Sequence, residues 1–137
     1  MKIAHVSHEY YPTISGVGQV VRELAERQVR EGHEVFVLTS DWDKNKRIKK
    51  KEDLIEGVKV VRFTHIARMG NFANVWPEVF SFILKNNFDV VHSHVFGHVH
   101  FVLAAIAAKI TGARHIHTTH CPWSDAHRST ISRIGLI

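Results

Sequence analysis

Short apolar runs alternate with segments of helical period along nearly the whole chain. The apolar runs predict β-strands at 2–7, 34–39, 58–63, 89–94 and 114–119, and the helical spacing predicts helices at 17–30, 76–85 and 99–110. Strands that alternate with helices pair in parallel through right-handed crossovers. The sequence therefore predicts an α/β fold, with a doubly wound, mostly parallel sheet and helices on both faces.

The expected strand order is 3-2-1-4-5, which places the first and fourth predicted strands side by side. Open α/β sheets bind ligands outside the carboxyl ends of their strands, where the strand order reverses. The loops after the first, fourth and fifth strands are then expected to meet over one crevice; they are 8–18, 94–98 and 118–124. This crevice is the predicted ligand site.

Residues that start or stop regular structure support these boundaries. Ser15 is the expected N-cap of the first helix and Gly32 its expected C-cap. Pro77 is expected in the first turn of the second helix. Polar and turn-forming residues predict loops at 41–56 and 65–74.

Length and composition indicate one domain, 1–137, which is long enough to bury a core. The longest apolar stretch, Phe101 to Ala108, is far shorter than the roughly 18 residues that a membrane span needs. The N-terminus lacks the apolar core of a signal peptide. The single cysteine, Cys121, has no partner for an internal disulfide. We therefore expect a cytoplasmic protein.

The net charge of +5 is concentrated between two predicted strands, where six of the residues from 44 to 51 are basic. A solvated loop is the favoured interpretation of such a run. A patch that contacts an anionic membrane from the cytoplasm is the alternative. Nucleic acid is not an expected partner, because Trp42 is the one nearby aromatic residue that could stack on a base.

The segment 8–18 joins the first predicted strand to the first helix and contains Gly16 and Gly18. Glycines at a helix start let a ligand approach the backbone, and the N–H groups and dipole there favour an anion such as a phosphate. The dinucleotide fingerprint is not matched: Val21 stands at its third glycine, and no acidic residue directly follows the second strand. A tight turn without a ligand is the alternative.

Twelve histidines are present, and some alternate along predicted strands in pairs such as His92/His94 and His115/His117. Catalytic zinc usually draws three protein ligands, so each pair would need a third. No His-Glu-x-x-His or Cys-x-x-Cys pattern accompanies them. Structural or hydrogen-bonding roles without a metal are expected. His94 and His120 differ from the rest because they end the fourth and fifth predicted strands, at the expected crevice.

Nucleophilic and hydrolytic chemistries have little support. Cys121 adjoins His120, but neighbouring residues at a strand end point in different directions, and Pro122 restricts the turn. A hydrolase with two carboxylates is disfavoured, because acidic residues near the expected rim are few, namely Glu9, Asp41 and Asp125.

Four segments occur in an order and spacing that are informative together. The first is 3–18, which includes Tyr11-Pro12 and Ser15-Gly-Val-Gly18. The others are 31–35 (Glu-Gly-His-Glu-Val), 88–94 (Phe-Asp-Val-Val-His-Ser-His) and 107–120, which ends in Thr-Thr-His. In these segments the chain resembles the N-terminal half of a retaining glycosyltransferase of the family 4 type, with the GT-B fold.

The resemblance implies a Rossmann-like domain that holds an acceptor (a sugar, lipid or small molecule) and faces a C-terminal GT-B domain that binds a nucleoside-diphosphate sugar. The donor phosphate would be bound by the motif residues Ser15, Gly16, Val17 and Gly18. His120 would be the catalytic residue, beside the transferred sugar, where charge on the departing diphosphate must be stabilised. The acceptor or sugar side would include Tyr11, His94 and Trp123. No cofactor and no metal are implied.

Two features depart from this family pattern. Ser15 stands where the family commonly has the first of two adjacent glycines. The apolar end, 131–137, has no following element to pack against, so we expect a truncated chain without the nucleotide-binding domain and with little activity alone. The alternative function is a non-catalytic Rossmann-like domain that docks on an anionic membrane through its basic loop. A nucleotide-dependent oxidoreductase is disfavoured by Val21.

Overall fold

The computed structural model describes residues 1–43, 46–69, 73–95 and 98–120. In order, these residues form β1 (Lys2–Val6), α1 (Gly16–Arg30), β2 (Glu34–Ser40), β3 (Trp42–Asp43), β4 (Lys46–Arg47), β5 (Glu52–Ile55), β6 (Val58–Phe63), β7 (Ala67–Met69), β8 (Ala73–Val75), α2 (Glu78–Lys85), β9 (Val90–His94), α3 (Val99–Thr111) and β10 (Arg114–Thr118). In these ranges, no helix has the length and apolar character needed to cross a membrane. Predictions on 121–137, including Trp123 and the truncated end, lie outside the described residues.

Six strands form the central sheet, in the order β10-β9-β1-β2-β6-β5. β1 lies between β2 and β9 and pairs with both in parallel. The pairs β2–β6 and β9–β10 are also parallel. The predicted order of the five parallel strands is therefore confirmed, with the reversal between β1 and β9. The sixth strand, β5, lies antiparallel to β6 at the edge of the sheet.

Side chains of the central strands alternate between two cores, one on each face of the sheet. On one face, Val21 and Ala25 of α1 pack with Val35 and Val37 of β2. On the other face, the core combines residues of α2 and α3 with the opposite sides of the strands, including Ala4, Leu38, Val79, Ile83, Val91 and Ala104. The prediction of helices on both faces is confirmed.

The ends of α1 agree closely with the sequence prediction. Ser15 has an extended backbone, and its Oγ accepts a hydrogen bond from Gly18 N at 2.9 Å, which makes it the N-cap. The C-cap is Glu31 rather than Gly32. Gly32 follows it with φ of +94°, a left-handed conformation that favours glycine after a helix.

Both segments that were predicted to be loops contain short strands. Within 41–56 lie β3, β4 and β5, and within 65–74 lie β7 and part of β8. β5 is hard to recognise in the sequence because it begins with Glu52 and Asp53, yet its backbone completes the sheet edge beside β6. The second helix begins at Glu78, later than predicted, because Pro77 is its N-cap.

A buried carboxylate anchors the segment between β2 and β6. Asp41 is fully buried. Its carboxylate accepts hydrogen bonds from Lys51 Nζ at 2.7 Å and Arg47 at 3.1 Å, and from His65 N at 3.1 Å. Burial alone would raise the pKa of Asp41, but these hydrogen bonds outweigh it and hold the pKa well below its usual range. The basic segment is therefore tied to the end of β2.

Candidate functional site

The carboxyl ends of β1, β9 and β10 meet at one rim of the sheet. The ring of His8, after β1, stacks on the ring of His98, which precedes α3, with centroids 4.7 Å apart. The ring of His120, after β10, lies 5.2 Å from that of His94, at the end of β9. Side chains from three loops therefore converge where the strand order reverses, which is the usual ligand position in such sheets.

The start of α1 has open backbone at Gly16. This residue is exposed, and an added Cβ there would meet no atom within 4 Å. At Gly18, an added Cβ would lie 3.0 Å from Ser15 Oγ. The N–H groups of Gly16 and Val17 belong to the first turn, where the helix provides no acceptor. Gly16 thus leaves room for a ligand, whereas Gly18 makes room for the cap.

The hydroxyl of Ser15 is engaged in the fold. It accepts a hydrogen bond from Gly18 N and also bonds to the carboxylate of Glu9. Glu9 in turn lies 3.3 Å from Nε2 of His8. Burial raises the pKa of Glu9, but the hydrogen bonds from His8 and Ser15 outweigh this and lower the pKa overall. The sequence identified Glu9 only as a rim carboxylate; the structure makes it the link between the loop and α1.

Replacing Ser15 by alanine should lower the free energy of unfolding by about 1 kcal/mol, because Gly18 N loses its acceptor. Chemical denaturation of both proteins measures the difference. The Ser15→Thr variant keeps a hydroxyl that can cap the helix and should lose much less. An alanine variant as stable as the original chain would show that the hydroxyl is not the cap.

His120 leaves β10 with an unusual backbone. Its φ is +52°, in the left-handed region that few residues other than glycine adopt. Its Nε2 lies 2.9 Å from Nδ1 of His94. Burial lowers the pKa of His120, and the neighbouring His8 lowers it further. The imidazole is therefore neutral near pH 7 and can accept or donate one hydrogen bond at each nitrogen.

His94 lies behind His120 rather than on the open rim. It is 1% exposed, and its second nitrogen, Nε2, lies 3.0 Å from Nδ1 of His5. Burial, with repulsion from His92 and other histidines, lowers the pKa of His94 to about 2. Both ring nitrogens of His94 therefore already have hydrogen-bond partners within the fold, and its place on the acceptor or sugar side stays a prediction.

Tyr11, by contrast, is on the surface. Its side chain is 46% exposed, and the guanidinium of Arg22 lies 4.5 Å from the centre of its ring. Its carbonyl oxygen accepts a hydrogen bond from Arg62 at 2.9 Å. This bond holds the backbone while the ring remains open to a ligand. Trp123, the third residue expected on this side, is outside the described residues.

The two His-x-His pairs lie on opposite faces of the sheet. His115 and His117 bond to Ser93 Oγ at 2.8 and 2.9 Å. Ser93 and His94 are successive residues of β9, and successive strand residues point to opposite faces. The pair His92/His94 therefore points away from the other pair, and the two pairs cannot form one four-histidine site.

His5 is the residue that sequence reasoning missed. It is paired in register with His92 across β1 and β9. His5, His92 and His94 each have a ring nitrogen within 4.8 Å of those of the other two, so they could hold a metal ion. The third ligand that the pair lacked in the sequence is thus present. His5 stands in a different strand, and only the strand register could have revealed it.

Asp41 is not available as a ribose ligand. In dinucleotide-binding domains an acidic residue near the end of the second strand binds a ribose hydroxyl. Here the carboxylate is fully buried and bonded to Lys51, Arg47 and His65. The structure thus strengthens the argument against an NAD-dependent enzyme.

The parallel sheet, its two helical layers and the rim at the strand reversal define a Rossmann-like domain of the GT-B type. Residues 14–136 match the profile of Glycosyltransferase Family 4, and the chain belongs to this family. Among solved structures, the chain is similar to sucrose-phosphate synthase from Thermosynechococcus elongatus, with a TM-score of 0.59 and 16% sequence identity. The similarity covers 97% of this chain and 38% of the synthase chain. No curated protein matches this chain.

Proposed function

We propose that residues 1–137 are the N-terminal, acceptor-side domain of a two-domain enzyme that transfers a sugar from a nucleoside-diphosphate sugar to an acceptor, with retention of configuration. The observation that carries the proposal is that the open start of α1 and the imidazole of His120 are linked at one rim: Ser15 bonds to Glu9, Glu9 pairs with His8, and His8 lies close enough to His120 to lower its pKa. Family membership supports the transferase chemistry. The acceptor is a sugar, a lipid or a small molecule, and the enzyme works in the cytoplasm.

The chemical task in such a transfer is to stabilise negative charge on the departing diphosphate. The exposed first turn of α1 offers N–H groups and the positive end of a helix dipole to the donor phosphate. His120 would contact a hydroxyl of the transferred sugar or acceptor through its second nitrogen, Nδ1, for which the described residues provide no hydrogen-bond partner. These contacts are electrostatic, so we propose no cofactor and no metal. A C-terminal domain would grip the nucleotide, and residues 1–137 alone would have little activity.

Replacing Gly16 by alanine should leave the fold intact but reduce sugar transfer by about tenfold to 100-fold. A methyl group at Gly16 meets no protein atom within 4 Å, and the backbone there is not in the left-handed region. It would, however, stand between the N–H groups and an approaching phosphate. Steady-state kinetics of the full-length enzyme, with thermal unfolding in parallel, measures both effects.

The matched control is Val20→Ala, one turn further along α1, where the side chain is 47% exposed. It should change neither activity nor stability appreciably. Full activity in the Gly16→Ala enzyme would show that the donor phosphate does not bind at this position. A loss of stability matching the loss of activity would show that the methyl group disturbs the fold instead.

Calorimetry of the full-length protein with UDP and GDP sugars tests the donor class. We expect one of them to bind with a dissociation constant in the micromolar range, typical of enzyme substrates. Absence of binding to any nucleoside-diphosphate sugar would contradict the proposal.

The membrane-docking alternative has weaker support. In the basic segment, Arg47 and Lys51 are paired with the buried Asp41, and Lys50 lies 3.1 Å from Asp53. Internal ion pairs therefore use charges that an anionic surface would need. Any contact with a membrane would be peripheral.

A further inference from the structure

A continuous chain of hydrogen bonds runs from α1 through the sheet to the rim. Gln28 Oε1 lies 2.7 Å from Nε2 of His5, and Nδ1 of His5 lies 3.0 Å from Nε2 of His94. Nδ1 of His94 then lies 2.9 Å from Nε2 of His120. Both ring nitrogens of the two inner histidines are thus engaged.

The protons in this chain are coupled. A contact between two neutral imidazoles holds one proton, so the tautomer of one ring dictates that of the next. Gln28 Oε1 is an acceptor, so His5 donates through Nε2 and accepts through Nδ1. His94 must then donate through Nε2 and accept through Nδ1. His120 is left with its proton on Nε2 and a lone pair on Nδ1.

Burial keeps the inner rings neutral, which the coupling requires. His5 is 0% exposed and His94 is 1% exposed, and burial lowers the pKa of both. His92 lies against them, with its ring 4.2 Å from that of His94. Its Nε2 forms a hydrogen bond with the hydroxyl of Thr118 and takes no part in the series of hydrogen bonds from Gln28 to His120. Burial and the neighbouring histidines lower the pKa of His92 to about 4. The cluster therefore carries no charge that would reverse the order of donors and acceptors.

The backbone at the rim is a second, independent observation. φ is +52° at His120 and +71° at Val95, the residue that follows β9. A β-branched residue rarely adopts this region, and such conformations persist only where the surroundings hold them. The hydrogen bond between Nε2 of His120 and Nδ1 of His94 holds the ring of His120 beside this strained backbone.

We infer that Gln28, His5 and His94 form a positioning relay that fixes the ring of His120 with its proton on Nε2 and leaves Nδ1 as a hydrogen-bond acceptor. In sugar transfer, which rests on the proposed function, Nδ1 receives a hydrogen bond from a hydroxyl of the sugar or acceptor. None of the three relay residues needs to touch the ligand. Gln28 thus acts through two intervening rings.

A metal ion held by His5, His92 and His94 is the competing use of the same nitrogens. Two ligands of a tetrahedral zinc ion at about 2.05 Å stand roughly 3.3 Å apart. His5 Nδ1 and His94 Nε2 are closer, at 3.0 Å, which is the usual length of a hydrogen bond between nitrogens. The observed contact therefore suits a shared proton better than a shared metal.

Nitrogen-15 NMR of the imidazoles, at pH 7.5 in the full chain, reports which nitrogen of each ring carries the proton. We expect Nε2–H and a bare Nδ1 for His5, His94 and His120. In the Gln28→Met variant the terminal acceptor is lost, and His120, two rings away, should become a mixture of both tautomers. The Gln28→Glu variant keeps an acceptor and should keep the original pattern. Gln19→Met, on the exposed side of α1, is the matched control and should change nothing.

Several results would overturn the relay. One is the Nδ1–H form of His120 in the unaltered chain, which is decisive even if a variant fails to fold. Another is a single, unchanged tautomer in Gln28→Met. Stoichiometric zinc, with chelation shifting the signals of His5, His92 and His94, would replace the relay by a metal site. These readings need no transfer activity, so failure of the relay is distinguishable from failure of the proposed function.

A kinetic measurement on the full-length enzyme completes the test. The Gln28→Met variant should lower kcat about tenfold and leave KM nearly unchanged, because the ligand-contacting residue is present but no longer held in one tautomer. The Gln28→Glu variant should retain kcat. Equal losses in both variants would indicate a merely structural role for Gln28 and would contradict the relay.

Discussion

Replacing Asp41 by asparagine should lower the free energy of unfolding by about 3 kcal/mol. Asp41 is fully buried and accepts hydrogen bonds from two cations and from a backbone N–H. The amide of asparagine keeps one acceptor, but its NH₂ group would face Arg47 and Lys51 and leave them without a counter-charge. Both cations are about half exposed, so water can solvate them, which keeps the expected loss at the lower end of the range for buried ion pairs.

Thermal unfolding should show the change as a fall in Tm of about 10 °C. The control is Glu31→Gln, since Glu31 pairs with Arg27 at 3.3 Å and both side chains are more than half exposed. Exposed pairs contribute about 0.5 kcal/mol or less, so this variant should be nearly as stable as the original chain. Equal losses for the two variants would mean that the buried carboxylate has no special role.

The pH dependence of the Asp41 contribution has a definite sign. Its pKa is lowered in the folded state, so the folded chain holds fewer protons than the unfolded chain below the ordinary aspartate pKa. The stabilisation is fully present above about pH 4 and declines as the pH falls further. The difference between the original chain and Asp41→Asn should therefore shrink only in strongly acidic solution.

The sequence predicts the parallel sheet well because five strands are apolar runs separated by helical segments. It misses β5 because an edge strand need not be apolar: Glu52 and Asp53 stand where apolar alternation would be the signal. The role of Asp41 was also hidden, since its partners Lys51 and His65 come from segments that look like ordinary polar loop. A buried ion cluster depends on three-dimensional placement and leaves no periodic pattern in the sequence.

In the candidate site too, features that are local in the chain can be predicted from the sequence, whereas contacts between distant segments cannot. Ser15 and the glycines are recognisable because caps and helix starts are local in the chain, and His120 is recognisable because it ends a strand. The partnership of His5 with His94 is not, since the two are 89 residues apart and meet only through the register of β1 with β9. Gln28, which lies on α1, has no feature in the sequence that indicates its role.

Mild acid should unfold this chain more readily than its ion pairs alone would suggest. Several histidines are held neutral in the fold, with pKa values lowered by burial to about 4 for His92 and His98, about 3 for His100 and about 2 for His94. The unfolded chain takes up protons on these residues near pH 6.5, whereas the folded chain does not. The contribution of these neutral histidines to the free energy of unfolding is therefore present above pH 6.5. It falls as the pH drops towards 4, by up to about 1.4 kcal/mol per pH unit for each such histidine.

The measurement is the free energy of unfolding by urea between pH 7.5 and 4.5, followed by circular dichroism. His100→Gln removes one titrating ring while its amide can still donate to the carbonyl oxygen of His94, which His100 Nε2 contacts at 2.8 Å. The slope of the free energy of unfolding against pH gives the number of protons taken up on unfolding. Below pH 6.5 this number should be smaller by about one in the variant, even if stability at pH 7.5 falls somewhat. Val102→Gln, on the exposed side of the same helix, should keep the original slope. A flat profile between pH 6.5 and 4.5, or an unchanged slope in His100→Gln, would contradict the assignment, because buried neutral histidines must take up protons when the chain unfolds.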